Sequence, residues 1–98
     1  IVVMASADHG QHFHLMSRLS SSGLDVRDPH FYVVEDRLHL MLPCWRLQEP
    51  LTRVTILARS DDGLHWEQFR DVPGFDDRTV WRPRKSTAPG DGSWYAAA

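Results

Sequence analysis

Cysteine, long apolar runs and helical periodicity are nearly absent from this chain. Its single cysteine, Cys44, cannot form a disulfide within one chain, so cysteine usage leaves the redox compartment open. No stretch approaches the ~20 apolar residues that a membrane span requires, and none resembles a signal peptide. We therefore predict no membrane-spanning segment. Cys44 lies within an apolar run and is predicted to be a buried, inert thiol.

A strong charge of either sign is lacking as well. The net charge is −2 and no basic stripe runs along the sequence, so nothing indicates nucleic-acid binding. Hydrophobic residues make up 42% of the 98 residues and charged residues 24%, which is ordinary for a globular domain. The chain opens on Ile1 without a methionine, and both ends fall within strand-like segments. We expect it to be a piece of a longer protein.

Short β-rich runs fill the sequence and are separated by Gly, Asp and Pro. This pattern predicts an all-β fold. Pro43 interrupts one of the runs, and because proline cannot donate a ladder hydrogen bond, we expect it at a strand edge or beside a bulge. The predicted strands are 1–6, 12–19, 26–34, 37–45, 52–60, 66–72, 80–86 and 94–97.

Two copies of one short turn signature organise these strands, one at residues 6–13 and one at residues 60–66. Each reads Ser-x-Asp, then Gly, two further residues and an aromatic, and the second copy is one residue shorter between Asp62 and Gly63. Serine and aspartate side chains can bond to the backbone of a tight turn, and glycine accepts a positive φ there. A signature that recurs after roughly 50 residues indicates repeated supersecondary units.

The signature resembles the Asp-box of sialidase-like β-propellers, Ser-x-Asp-x-Gly-x-x-aromatic. The resemblance implies a partial propeller of about two four-stranded blades out of six. Residues 1–22 would end one blade, residues 23–75 would form a complete blade, and residues 76–98 would start the next. In such proteins the Asp-box lies at the periphery, so Asp8 and Asp62 are expected to be structural carboxylates.

The resemblance also implies a ligand site at the mouth of the central channel, which the innermost strand of each blade lines. Here those strands begin with Val26-Arg27-Asp28-Pro29 and Trp81-Arg82-Pro83-Arg84. An Arg-Asp-Pro at this place is similar to a motif of several propeller glycosidases, whose Asp holds sugar hydroxyls and supports the charge of the transition state. Sialidases bind the carboxylate of their substrate through inner-strand arginines, whose planar fork suits that task. The candidates are therefore Asp28 as the catalytic residue and Arg27, Arg82 and Trp81 as substrate-binding residues.

The function implied is that of a fragment of a sialidase-like glycoside hydrolase acting on a terminal, possibly acidic, sugar. Its expected partners are a carbohydrate and the remaining blades of the propeller. The alternative is a non-catalytic carbohydrate-binding or interaction propeller, because Arg and Asp at a strand start can simply pair with neighbouring blades. The tyrosine nucleophile of a retaining sialidase and its carboxylate partner have no recognisable counterpart, so we expect no activity from this chain alone. The resemblance is compatible with a secreted or periplasmic protein, and the sequence leaves the location open.

Histidines are the remaining candidates for chemistry. His12 and His14 share one face of a predicted strand, with His9 nearby, and two such histidines could bind zinc. No cysteine or carboxylate is spaced to complete the site. We therefore predict neither a metal nor another cofactor.

These interpretations carry four geometric expectations. The two Asp-box turns should match. Phe13 and Trp66 should be buried more deeply than Trp81. Arg27 and Arg82, as equivalent residues of consecutive blades, should project into one shared space. Because two blades cannot close a ring, apolar faces should remain exposed and favour self-association.

Overall fold

A computed structural model describes residues 1–98, except for the side chain of Gln68. The described chain contains no helix, and its strands form three antiparallel sheets, none closed into a barrel. The predicted all-β class is therefore confirmed. The strands are β1 (Val2–Ala5), β2 (His14–Arg18), β3 (Leu24–Val26), β4 (His30–Val34), β5 (Arg37–Arg46), β6 (Thr52–Ser60), β7 (Glu67–Asp71), β8 (Arg84–Lys85) and β9 (Trp94–Tyr95).

The central sheet contains β3 to β7 in an antiparallel meander. At its centre is the long strand pair β5–β6, in which Leu42 lies opposite Ile56. β3 and β4 both pair with the other edge of β5, and β7 pairs with β6. β4 and β5 are joined by the predicted two-residue turn, Glu35–Asp36, in which both φ values are positive (49° and 61°). Such a turn matches the twist of the strands that it joins.

One face of the central sheet carries the main core. The cluster consists of Leu40, Leu42 and Cys44 on β5 with Val54 on β6. Burial raises the pKa of the Cys44 thiol to about 11, and the thiol donates a hydrogen bond to the carbonyl of Leu42 at 3.1 Å. The predicted burial of Cys44 is confirmed.

The two smaller sheets cover opposite faces of the central sheet. The β1–β2 sheet lies over the core face, where Leu19 packs on the cluster and Ser17 Oγ accepts a hydrogen bond from the Trp66 indole at 3.1 Å. The β8–β9 sheet lies over the other face, where the ring of Trp94 is 5.8 Å from that of Tyr32. The chain is therefore a stack of three sheets with the most complete one in the middle.

The two Asp-box turns share one hydrogen-bond pattern. In each, the serine Oγ accepts hydrogen bonds from the aspartate and glycine N–H groups, at 3.3 and 2.8 Å in both turns, and donates to the carboxylate. One oxygen of the same carboxylate also accepts a hydrogen bond from the backbone N–H of a histidine, and the other oxygen contacts Nδ1 in the ring of that histidine. The predicted match between the turns is confirmed, and the histidine is a shared element that the sequence analysis did not include in the signature. The matched residues are Ser6, Asp8, Gly10 and His12 in the first turn and Ser60, Asp62, Gly63 and His65 in the second.

The burial order predicted for the aromatic residues holds only in part. Trp66 is half-buried, whereas Trp81 is 53% exposed, as predicted. Phe13 is 57% exposed, so the prediction for Phe13 is wrong. The reason is that Trp66 lies between two sheets, while Phe13 precedes β2, at the outer sheet of the stack.

Removing the most deeply buried leucine should destabilise the stack. Leu40 is 0% exposed, so Leu40→Ala should lower the free energy of unfolding by about 2–5 kcal/mol, through lost burial and the cavity left behind. The matched control is Leu51→Ala, because Leu51 is 53% exposed and its loss should cost less than about 0.5 kcal/mol. Urea unfolding of both variants measures the difference, and equal losses would contradict this description of the core.

The Asp-box carboxylates should make the fold sensitive to acid. Hydrogen bonds from Ser6 and from the His12 backbone hold the pKa of Asp8 at about 2, and those from the His65 backbone and ring lower the pKa of Asp62. Because both values lie below the ~3.9 of an unfolded aspartate, these groups stabilise the fold above about pH 4. That contribution is lost as the pH falls from about 4 to about 2.

Urea midpoints measured across this pH range should therefore fall steeply for the unaltered chain and less steeply for Asp62→Asn. Asp36→Asn is the control, since Asp36 belongs to the hairpin turn and to neither Asp-box. An acid slope that Asp62→Asn leaves unchanged would show that the turn carboxylates do not govern acid stability.

Candidate functional site

A bulge separates β3 from β4 at the place where the sequence puts its candidate catalytic residue. Val26 lies opposite Cys44 and His30 lies opposite Met41, so three residues, 27–29, face two residues of β5. The Arg27 N–H donates to the carbonyl of Pro43 at 2.7 Å. The N and C=O groups of one residue point to the same edge of a strand, and the proline has no N–H to offer on this edge. Pro43 therefore lies beside a bulge, as predicted.

Asp28 occupies the centre of this bulge. Its φ is 43°, a left-handed conformation that aspartate tolerates better than most residues. The side chain is exposed, and it takes part in no ion pair within the described part of the chain. Backbone in such a conformation costs free energy and is often found at functional sites. The bulge thus presents a solvent-facing carboxylate without an ionic partner.

Arg27 forms an ion pair with Asp25, two residues earlier in the chain. Its Nε and one terminal nitrogen both donate to Asp25 Oδ2, at 3.0 and 2.5 Å. The pair raises the pKa of Arg27 and lowers that of Asp25. The two side chains are 64% and 36% exposed, so water weakens the pair and a ligand carboxylate could displace Asp25. In the structure itself, Asp25 holds the guanidinium that was expected to bind substrate.

A cleft of about 220 Å³ opens beside the bulge. Arg27 and Asp28 both line it, together with two arginines that the sequence analysis did not single out, Arg53 and Arg78. The Arg53 guanidinium lies 4.5 Å from the centre of the Trp45 ring, over its face. Three arginines and one carboxylate line the cleft, and Asp25 offsets the charge of Arg27. Arg53 and Arg78 therefore supply the excess of positive charge that favours an anionic ligand group.

The position of Arg78 depends on a loop that is hydrogen-bonded to β6. The Asp77 N–H donates to the carbonyl of Arg53 at 3.0 Å, and the Arg53 N–H donates to the Asp77 carboxylate at 3.3 Å. Arg78 is held next to them by a turn in which its N–H reaches the carbonyl of Phe75. Asp76-Asp77 after Pro73-Gly74 is a turn-forming sequence, so the turn itself could have been predicted. Its contact with β6 joins residues 24 positions apart, and short spacings do not indicate such a contact.

Trp81 lies next to the bulge without entering the cleft. Its N–H donates to the carbonyl of Ala97 at 2.8 Å, and its ring centre is 6.2 Å from that of His30, at the start of β4. The residue remains 53% exposed. His30 is turned inward, and its Nε2 is one of two buried side-chain atoms in the described chain that lack a hydrogen-bond partner; the other is Thr55 Oγ1.

Arg82 is exposed and does not line the cleft that contains Arg27 and Asp28. The hydrogen bonds also change which residue of the first repeat corresponds to Arg82. The Arg27 N–H donates to the carbonyl of Pro43, and the Trp81 N–H donates to the carbonyl of Ala97. The two donors are 54 residues apart, and so are the two acceptors. The two Asp-box serines have the same separation. Arg27 therefore corresponds to Trp81, and Arg82 corresponds to Asp28.

The equivalence of Arg27 with Arg82, which the sequence analysis drew from matching arginines, is wrong by one residue. Two features that it passed over support the 54-residue step. Val26 corresponds to Val80, and Pro29 corresponds to Pro83. The structure thus brings Arg27 and Asp28 into one cleft, places Trp81 beside them and leaves Arg82 apart.

A cavity larger than this cleft lies elsewhere in the molecule. It measures about 420 Å³, separates the β1–β2 sheet from the central sheet, and is lined mainly by apolar side chains such as Leu42 and Ile56. None of the four predicted site residues lines it. Among the described residues no three His, Cys, Asp or Glu side chains are grouped so that they could hold a metal ion. No helix in the same residues is long and apolar enough to span a membrane.

Comparison with known proteins adds no relative. No protein-family model, curated protein or solved structure matches this chain.

Proposed function

We propose that this chain is part of a sialidase-like β-propeller glycoside hydrolase, and that the 27–29 bulge binds a terminal sugar. The fold part of the proposal is supported by the order of the sheets. β1–β2 and β6–β7 are each joined by an Asp-box, and the ladder of β8 and β9 repeats that of β4 and β5 after 54 residues. Stacked sheets that repeat in this way are the arrangement of propeller blades. In this interpretation β3 with β4 forms the innermost strand of the central blade.

The observation that carries the site is the exposed carboxylate of Asp28 in a backbone conformation that costs free energy. A carboxylate can accept hydrogen bonds from sugar hydroxyls and can stabilise the positive charge that develops during glycoside cleavage. Arg78 and Arg53 in the same cleft would hold an anionic substituent of the sugar. Trp81 would offer a ring face at the rim.

One observation favours the alternative, a non-catalytic carbohydrate-binding or interaction propeller. Arg27 is committed to Asp25, which is the intramolecular pairing expected of a structural arginine. In this second candidate the cleft would still bind a sugar, but Asp28 would contribute to affinity alone.

Sugar binding tests the role of Asp28. Isothermal titration of the chain with N-acetylneuraminic acid and with methyl galactoside should show binding of at least one sugar, weakened on the order of tenfold by Asp28→Asn, because a hydrogen bond to a charged group is lost. Asp36→Asn is the matched control, since Asp36 is also an exposed aspartate with positive φ (61°). Equal affinity in both variants, or no binding of either sugar, would contradict the proposal.

The role of Arg27 can be separated from that of Asp28. Asp25→Asn frees the guanidinium from its carboxylate partner, so it should strengthen binding of N-acetylneuraminic acid and leave binding of the neutral galactoside unchanged. Arg27→Lys in the same background should reverse the gain, because an ammonium cannot make the bidentate contact. If Asp25→Asn changes neither affinity, Arg27 is a structural residue and the non-catalytic candidate gains support.

A further inference from the structure

Asp77 joins the two chain segments that carry Arg53 and Arg78. Its backbone N–H donates to the carbonyl of Arg53 at 3.0 Å, and its carboxylate accepts the Arg53 N–H at 3.3 Å. Both backbone polar groups of Arg53 are therefore bound by one residue on this edge of β6. Because Arg78 follows directly in the chain, the position of Asp77 decides where Arg78 lies relative to Arg53.

The register of the sheet shows that Asp77 is a substitute partner in the ladder. The Val72 N–H donates to the carbonyl of Thr55 at 2.8 Å, so a strand that continued in the register of β7 would place Gly74 opposite Arg53. Asp77 takes that place instead, three residues further along the chain. Its carboxylate accepts the N–H for which a regular strand supplies a backbone carbonyl.

The backbone of Asp77 is in a conformation that costs free energy. Its φ is 59°, in the left-handed region that aspartate tolerates better than most residues. Such a conformation persists only where surrounding contacts hold it, and it is found disproportionately at functional sites. Here the two hydrogen bonds to Arg53 hold it, and the bond from the Arg78 N–H to the carbonyl of Phe75 at 3.1 Å closes the turn. The turn therefore carries Arg78 to a fixed place on β6.

Arg53 and Arg78 are also the arginines of the cleft whose charge no ion pair offsets. Arg27 pairs with Asp25, whereas neither Arg53 nor Arg78 takes part in an ion pair within the described part of the chain. The Arg53 guanidinium lies over the Trp45 ring, 4.5 Å from its centre, and the attraction between a cation and a ring face favours this placement. Both guanidinium groups are thus available to a ligand.

We propose that Asp77 is a positioning residue, which holds Arg53 and Arg78 together as one site for an oxyanion, the carboxylate, sulfate or phosphate group of a ligand. Two guanidinium groups repel each other, so a contact that joins their segments favours the arrangement in which both can donate to the same group. The proposal rests on the function proposed above, which assigns these two arginines to an anionic substituent. Because it requires only an oxyanion, inorganic sulfate can test it without a sugar.

Sulfate titration tests the site itself. Isothermal titration at constant ionic strength gives the affinity, and the NMR signal of the Trp45 indole N–H should move with sulfate concentration, because the ring lies against Arg53. Trp45→Phe identifies that signal. Arg53→Gln and Arg78→Gln should each weaken sulfate binding about tenfold, since each removes hydrogen bonds from a charged group.

Two substitutions of Asp77 separate positioning from charge. Asp77→Gly retains the positive φ and the backbone N–H but removes the acceptor, so sulfate binding should weaken about tenfold. Asp77→Asn retains an acceptor for the Arg53 N–H and removes the negative charge, so its affinity should equal or exceed that of the unaltered chain. Asp76→Gly is the matched control, because Asp76 is an exposed aspartate of the same turn, and its loss should not weaken binding.

A double-mutant cycle shows whether Asp77 acts through Arg78. In the Arg78→Gln background, Asp77→Gly should weaken sulfate binding by less than about threefold, whereas independent effects would multiply to about a hundredfold loss. Binding of the neutral methyl galactoside should not respond to Asp77→Gly. A general loss of folding would weaken the binding of both ligands and would lower the urea midpoint.

Each outcome decides the proposal. If Asp77→Gly leaves sulfate affinity unchanged, or if Asp77→Asn lowers it equally, Asp77 does not position the arginines and the proposal is overturned, while the proposed function is unaffected. An unaltered chain that does not bind sulfate also overturns it, because there is then no oxyanion site to assemble. If sulfate binds and responds to Asp77 as expected but neither sugar binds, the role of Asp77 is supported and the proposed function fails.

Discussion

The structure depends on the antiparallel pair β5–β6. β5 is paired on both edges, and its alternate side chains Leu40, Leu42 and Cys44 supply most of the buried core. Because the pleat sends successive side chains to opposite faces, the same strands offer one surface to the β1–β2 sheet and another to the β8–β9 sheet. A substitution that breaks this ladder would therefore affect all three layers, whereas one in an outer hairpin would affect a single layer.

The candidate site is a consequence of an imperfection in that ladder. Pro43 has no N–H to offer on the edge that pairs with β3 and β4, and the segment opposite it carries one additional residue. The inserted segment lifts Asp28 out of the sheet and into the left-handed region. The bulge therefore presents a solvent-exposed carboxylate that is free to accept hydrogen bonds.

Local chemistry was predictable from the sequence, and long-range packing was not. The turn at Glu35–Asp36, the burial of Cys44 and the matched Asp-box turns follow from residue types and short spacings. The exposure of Phe13 could not be predicted, because it depends on which neighbouring sheet is present. The arginines at 53 and 78 were missed for a similar reason, since the contact that joins their segments spans 24 residues. The equivalence of Arg27 with Arg82 was wrong because it matched residue types, whereas the ladder matches backbone positions.

The correspondence of Asp28 with Arg82 changes which charges consecutive repeats would place side by side. With Asp28 of one repeat in the place of Arg82 of the next, consecutive inner strands would present a carboxylate and then a guanidinium, not two guanidinium groups. Two adjacent arginines repel unless an anion separates them, while an aspartate and an arginine attract and can together bind a polar, uncharged group. In the function that we propose, binding of an anionic group would then depend on Arg53 and Arg78 beside the bulge, within one repeat. The space between repeats would suit the hydroxyls of the proposed sugar ligand, so charge recognition and hydroxyl recognition would lie in different parts of the same surface.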